Sequence, residues 1–317
     1  MTVSLSWGGP ARYPAVYQRG CEVLSSVFGL EVVAAPHVFT PDAHPRDRAA
    51  DVMLAFADPS VRGIISTIGG DDSMRLLPYL DPTVIAANPK VFLGFSDTTV
   101  SHFVCHNAGL TTFYGPSLMA GFAELLPYTE AAVRQALFST SPIGALEPAD
   151  GWTPEWADWS NFVPRALRPR HEWTFLQGEG IAEGRLLGGC IDVMEFLRGT
   201  PAWPRSFDGA ILFLETSEDA PPPSFVLRAL RSYAAMGILH EIKGLLFGRP
   251  GGGERFAEYD AAILQVIRDE EGLDQLPIVT GLDFGHTEPM FVLPYCALAR
   301  IDCDQRTFTV LESGVSG

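Results

Sequence analysis

Along the first half of the chain, short apolar runs alternate with stretches of helical spacing: VVAAPHVF, RAADVMLAFAD, VRGIISTIGG, KVFLGFSD and TVSHFVCHNAG follow one another. Runs rich in Val and Ile that end in Gly or Asp predict buried parallel strands, with polar side chains displayed at their carboxyl ends. This half is expected to form an open α/β layer. A helix over TEAAVRQALFS closes it, with Thr129 or Glu130 near its start. The pattern breaks over 141–180, which is rich in Pro, Trp and Arg and includes EPADGWTPEWADWSNFVPRALRPRHEW. Such a stretch predicts a linker, a lid or a specificity loop.

Regular patterning returns beyond 180. GRLLGGCIDVMEFLRG predicts a strand and turn leading into a helix, GAILFLET a buried strand, SFVLRALRSYAAMGI a helix, and IKGLLFGRP and PIVTGLDF further strands. YCALARIDCDQRTFTVLES predicts a terminal hairpin turning at Asp304 and Gln305. The expected plan is two α/β domains, 1–140 and 181–317, joined by an irregular loop over 141–180. A length of 317 residues fits two domains sharing a cleft.

Composition narrows the class. Apolar residues make up 47% and charged residues 19%, which excludes a disordered chain. A formal charge of −16 disfavours nucleic acid and anionic membrane surfaces as partners. Cys21, Cys105, Cys190, Cys296 and Cys303 lack close paired spacing, so neither a zinc site nor a disulfide framework is expected. The odd count, with no signal-peptide pattern over Met1 to Pro10 and no run of membrane-spanning length, predicts a cytoplasmic protein.

Candidate chemistry gathers at strand ends. In KVFLGFSDTTV an apolar strand runs through Gly94 and Phe95 into Ser96, where a strand-to-helix turn would expose the hydroxyl. A serine is a nucleophile only when a base takes its proton. His286, after the short apolar run and glycine of LDFGHTEPM, is placed on a loop where it could do so. Glu215 closes the strand AILFLE, ahead of Glu218 and Asp219, and a carboxylate there could orient an imidazole. The Asp97 N–H at the helix start, and that of Gly70 in IISTIGGDDS, are candidate oxyanion donors. Each position has a structural alternative: helix capping by Ser96 or around Glu215, a tight turn at Gly70, a packed imidazole at His286. The order Ser, Glu, His matches hydrolases of the α/β type, yet GFSDT is not the G-x-S-x-G elbow of lipases. No dinucleotide-binding, P-loop or H-E-x-x-H motif occurs, so no cofactor or metal is expected.

Taken together, RAADVMLAFADPSVRGIISTIGGDDSMRLLPYLD, NPKVFLGFSDTT, FYGPSLM, GRLLGGCIDVMEFLRGT, LFLE, FGRPGG and DFGHTEPM resemble the LD-carboxypeptidase family of serine peptidases. Within it, the chain is similar to the microcin C immunity branch, and the resemblance covers nearly all of its length. It implies an N-terminal flavodoxin-like or amidotransferase-like parallel-sheet domain, a C-terminal α/β domain, and a homodimer. It also implies a triad of Ser96, His286 and Glu215 with an oxyanion hole from Gly70 and Asp97.

The implied reaction is hydrolysis of an amide bond near a free carboxyl terminus. The substrate would be an aminoacyl- or peptidyl-nucleotide in the immunity branch, or a murein tetrapeptide losing its terminal D-alanine. A loop tryptophan that stacks on the nucleobase would fall on Trp159 first, then Trp152 or Trp156, although packing between domains is an equal alternative for each ring. Two positions depart from the family pattern: Cys190 in Gly188-Gly189-Cys190 replaces an asparagine, and Tyr295-Cys296 stands where a glycine is expected. A catalytically silent binding protein and an esterase are the readings from other classes.

Overall fold

The computed structural model describes residues 1–316 apart from 156, 162 and 164. Two sheets organise the described residues. The first has five strands in the order Thr2–Val3, Gly63–Ser66, Val91–Gly94, Phe113–Tyr114 and Leu293–Pro294. The first four pair in parallel and the last is antiparallel. The second has eight strands, and its centre is a parallel run from Ile181–Cys190 through Ala210–Glu215 and Gly244–Gly248 to Ile278–Leu282. Antiparallel strands flank that run: Thr174–Gln177 on one side, and on the other Leu298–Asp302, Thr307–Val310 and Gly144–Leu146.

The parallel strands are apolar because both faces are covered. All six residues of Ala210–Glu215 and all five of Gly244–Gly248 are buried. The helices Pro14–Phe28, Pro45–Ala57 and Pro223–Ala235 each bury one face, whereas Thr99–Asn107 is buried all round from Thr99 to Cys105. The predicted helices after 127 and 223 and the hairpin around Asp304 are present. VVAAPHVF, by contrast, contributes no strand beyond a single bridge between Ala34 and Thr2. Pro36 has no N–H to donate, so a ladder cannot continue through it.

Strands from the chain's middle and end join sheets away from their neighbours in sequence. Gly144–Leu146 and Thr174–Gln177 occupy opposite edges of the second sheet, and Leu293–Pro294 crosses to the first. Among the described residues, no helix is long and apolar enough to cross a membrane.

Candidate active site

Ser96 lies just past the carboxyl end of Val91–Gly94, at the start of a single tight turn, Ser96–Thr98, that leads into the helix Thr99–Asn107. Its φ is +62°, in the left-handed region that L-residues avoid, at a cost of about 1–3 kcal/mol. The turn is held by Thr98 N–H donating to the Phe95 carbonyl (3.1 Å) and by Thr99 Oγ1 donating to the Ser96 carbonyl (2.7 Å). The Ser96 hydroxyl meets His286 Nε2 at 2.9 Å. His286 Nδ1 meets Glu215 Oε2 at 2.7 Å. The sequence-predicted trio is thus brought together, with a hydroxyl from one sheet and a carboxylate and imidazole from the other. Such a chain of contacts lets a carboxylate fix the imidazole with its free nitrogen toward a hydroxyl.

Glu215 is wholly buried at the end of its strand. Its other oxygen accepts from the Tyr114 hydroxyl, which in turn accepts the Ser96 N–H at 3.1 Å. Tyr114 therefore ties the turn that carries the hydroxyl to the carboxylate that holds the imidazole. Nothing in FYGPSLM marks this role, because the contact spans two sheets.

The loop that carries His286 rests on Arg249. This fully buried guanidinium pairs with Asp283 and donates to Thr287 Oγ1 and the Pro289 carbonyl, both at 2.8 Å. Desolvation acts to lower the affinity of buried His286 for its proton. The charge and hydrogen bond of Glu215, followed by the charges of Glu218 and Asp192, outweigh it, and its pKa lies above the ordinary histidine value.

Gly69 and Gly70 follow the strand Gly63–Ser66 into the same corner. A Cβ on Gly69 would sit 2.9 Å from Ser96 Oγ and 3.6 Å from the Asp97 nitrogen, so only glycine leaves open the space beside the hydroxyl. Gly70 has φ +137°, and a Cβ there would fall on Ser6 Oγ. Ser6 Oγ accepts the next two N–H groups, from Asp71 at 2.9 Å and Asp72 at 2.8 Å. The Asp97 carboxylate accepts Ser73 N–H at 2.9 Å, and burial raises its pKa against those hydrogen bonds.

A cleft of about 440 Å³ opens in front of Ser96 and His286. Trp7, Tyr13, Phe95 and Trp159 give it aromatic walls, and Asp158 and Glu218 add carboxylates. Glu218 Oε2 stands 3.2 Å from His286 Nε2. Trp159 is half-buried and meets Tyr13 edge to face with centroids 5.0 Å apart. Its loop is pinned by Arg165, buried between Glu124 and Glu288, and by paired backbone bonds between Thr153 and Glu288.

The structure does not bring Trp152 to this cleft. Its ring is 5% exposed, with the guanidinium groups of Arg168 and Arg249 at 5.0 and 5.2 Å from the ring centroid. Trp156 lies outside the described residues. Sequence reasoning passed over Trp7, Tyr13 and Tyr114, and noted Gly69 only as one of a glycine pair that lets the backbone approach a substrate. It weighed Glu218 only as a rival to Glu215.

Among the described residues, Cys190, Glu215 and His286 offer ligand atoms within 4.8 Å of one another, a spacing a metal ion could use. Both Glu215 oxygens are already engaged, and burial holds the Cys190 thiol well above its usual pKa. A cation would have to displace these hydrogen bonds.

Comparison with known proteins places this architecture. Residues 1–115 match the LD-carboxypeptidase N-terminal domain and 183–301 the LD-carboxypeptidase C-terminal domain. The microcin C7 self-immunity protein MccF of Escherichia coli is 29% identical over 86% of this chain and 80% of its own length. Its structure in complex with aspartyl sulfamoyl adenosine matches at a TM-score of 0.88, with 27% identity over 99% of this chain and 96% of that one. An MccF-like protein from Streptococcus pneumoniae in complex with AMP matches at 0.87, with 32% identity over 97% of both chains. A probable murein peptide carboxypeptidase of Bacillus subtilis is 29% identical over 85% of this chain and 77% of its own length. The chain belongs to the LD-carboxypeptidase family, as a peptidase with MccF-like relatives.

Proposed function

We propose that this enzyme cleaves the amide-type bond between an aminoacyl or peptidyl group and a nucleotide, with Ser96 as nucleophile, His286 as general base and then acid, and Glu215 as the residue that orients it. The observation that carries the reading is the run of contacts from Ser96 Oγ through His286 to Glu215 at the floor of an aromatic-walled cleft. His286 Nε2 takes the hydroxyl proton as Ser96 Oγ attacks the carbonyl carbon. The developing oxyanion is received by the N–H groups of Gly70 and Asp97 beside the gap that Gly69 leaves. The imidazolium returns the proton to the departing nitrogen. Water, deprotonated by the same imidazole, then releases the acyl group from Ser96.

Trp159, half-buried on the loop over the cleft, is positioned to stack on the nucleobase of the leaving group, a contact that tolerates any base. Relatives solved with AMP and with aspartyl sulfamoyl adenosine support a ligand of this class. The murein peptide carboxypeptidase among the relatives favours a second substrate, a tetrapeptide losing its terminal D-alanine.

Release of nucleotide from an aminoacyl-adenylate phosphoramidate and of D-alanine from a murein tetrapeptide, measured side by side, separates the two. Ser96→Ala is expected to lower the favoured activity by about 10⁴-fold or more. Full activity in that variant on both substrates would remove Ser96 from the mechanism.

A further inference from the structure

Apart from the His286 imidazole, the charged side chains lining the cleft in front of Ser96 are acidic. Among its described lining residues, Asp158 and Glu218 are acidic and none is Lys or Arg. Nearby guanidinium groups are committed elsewhere: Arg165 to Glu124 and Glu288, Arg48 to Asp72, and Arg249 to Asp283. Arg12 lies 5.5 Å from the centroid of the Tyr13 ring and is not among the lining residues. A carboxylate on the acyl side would find no Lys or Arg on these walls, only an imidazole already facing Glu215 and Glu218, and would meet the field of a chain carrying −16. An ammonium group would find a carboxylate, together with the rings of Trp7 and Tyr13, surfaces that attract cations.

Glu218 is the carboxylate closest to the chemistry. Its Oε2 is 3.2 Å from His286 Nε2, the same nitrogen that meets Ser96 Oγ at 2.9 Å, and its side chain is 51% exposed. Glu215 stands at Nδ1, so each ring nitrogen faces a carboxylate, an arrangement that favours the imidazolium. Asp192, at the start of the helix Ile191–Leu197, adds a third negative charge, and the Phe95 ring packs against the imidazole at 5.0 Å between centroids without adding any. An imidazolium cannot accept the Ser96 proton.

We infer that Glu218 is a specificity residue that receives a primary ammonium group on the acyl side of the scissile bond and, in doing so, leaves His286 Nε2 to Ser96. When the ammonium pairs with Glu218, the imidazolium loses a partner and releases its Nε2 proton to water. The neutral nitrogen then takes the hydroxyl proton as Ser96 attacks. Glu218 Oε2 and Ser96 Oγ share Nε2 as a neighbour, at 3.2 and 2.9 Å, so at most about 6 Å separates them, within reach of an amine one or two atoms from the acyl carbon. The α-amine of an aminoacyl group meets this description directly; the side-chain amine of a lysine-type residue in a cell-wall peptide, five carbons from its own carbonyl, is a second source only if that side chain folds back to Glu218. The inference rests on the proposed Ser96 mechanism.

Paired ligands that differ only in acetylation of the amine test it. An aminoacyl sulfamoyl adenosine and its Nα-acetyl form serve for calorimetric binding, the matching phosphoramidates for turnover, and a lysine-containing tetrapeptide with its Nε-acetyl form for the second source. The wild type is expected to favour the free amine of one pair by about tenfold or more, the worth of one charge-assisted hydrogen bond. Glu218→Gln is expected to reduce that ratio below about threefold, and Glu218→Asp to restore part of it. With the acetylated substrate, the ascending limb of the kcat/KM profile should move to lower pH in Glu218→Gln, which a merely structural role would not produce.

Equal handling of free and acetylated ligands by the wild type, or an undiminished ratio in Glu218→Gln, overturns the inference. Selective binding that depends on Glu218, without Ser96-dependent turnover of any substrate, upholds the ammonium site and counts against the proposed reaction instead.

Discussion

His286 has two sides, and they are built differently. Beneath the ring, Glu215 is wholly buried, holds Nδ1 at 2.7 Å and is itself held by the buried Tyr114 hydroxyl. Above it, Glu218 is half exposed on the turn after the strand Ala210–Glu215, stands 3.2 Å from Nε2 and borders a loop carried by Asp158 and Trp159. A buried carboxylate with fixed partners cannot exchange them without a large desolvation cost, so it sets geometry. One that reaches solvent can trade partners when a ligand arrives. On the proposed mechanism, the same residue type serves orientation on one side and selection on the other.

Glu215→Gln is the hardest blow to this contrast. An amide can present its N–H₂ to Nδ1 and favour the wrong tautomer, so kcat should fall by about 10³–10⁴, as it does when the orienting carboxylate of a Ser-His-Asp triad is neutralised. KM should change little. A loss below about tenfold in steady-state kinetics would show that the buried side does not orient the imidazole.

Trp159 and Trp152, the two described tryptophans of the 141–160 stretch, sharpen the contrast at intermediate scale. Trp159→Ala should raise KM by about 5- to 100-fold with kcat nearly unchanged, since a stacked base is worth about 1–3 kcal/mol. Trp152→Ala should leave KM alone and lower stability by about 3–5 kcal/mol in urea unfolding, because its ring packs in the interior between Arg168 and Arg249. A reversed outcome would exchange their roles.

The smallest effect is in pH. Because the pKa of His286 is raised above its ordinary value of about 6.5, its interaction with Glu215 and its neighbours contributes stability that is full below that value. The contribution is lost as pH rises through the raised pKa. Activity needs the neutral base and runs the other way, so kcat/KM should climb over the window in which this part of the stability declines. Melting curves and rate profiles from pH 6 to 9 read both. An ascending limb below 6.5 would contradict the raised value.

Much of this arrangement was legible along the chain because strand ends are local features. Apolar runs stopping at Ser96 and Glu215, and a glycine before His286, are visible in KVFLGFSD, AILFLE and LDFGH. The structure brings those three side chains into contact. What lay hidden depends on contacts across sheets. Tyr114 sits in a two-residue strand with no periodicity to read, and Glu218 differs from Asp219 only in where a turn points it. Ser217 fixes that turn by giving its N–H and hydroxyl to Asp192, 3.1 and 2.9 Å away, which no local pattern announces. Trp152, Trp156 and Trp159 were indistinguishable as letters. Arg249 decides the first of them, because a buried guanidinium already paired with Asp283 takes one face of the Trp152 ring.

The short strand Leu293–Pro294 has a further consequence for how the enzyme comes into being. The segment bearing His286 leaves the second sheet at Leu282 and is fastened to the first at Leu293. During synthesis, the strand and turn that carry Ser96 can fold long before residue 286 leaves the ribosome. The hydroxyl would then wait without a base until both sheets exist and the chain has crossed back between them. On the proposed mechanism, hydrolytic competence would be a late property of the nascent chain, acquired as the later strands add, and half-assembled copies would be inert rather than indiscriminate hydrolases.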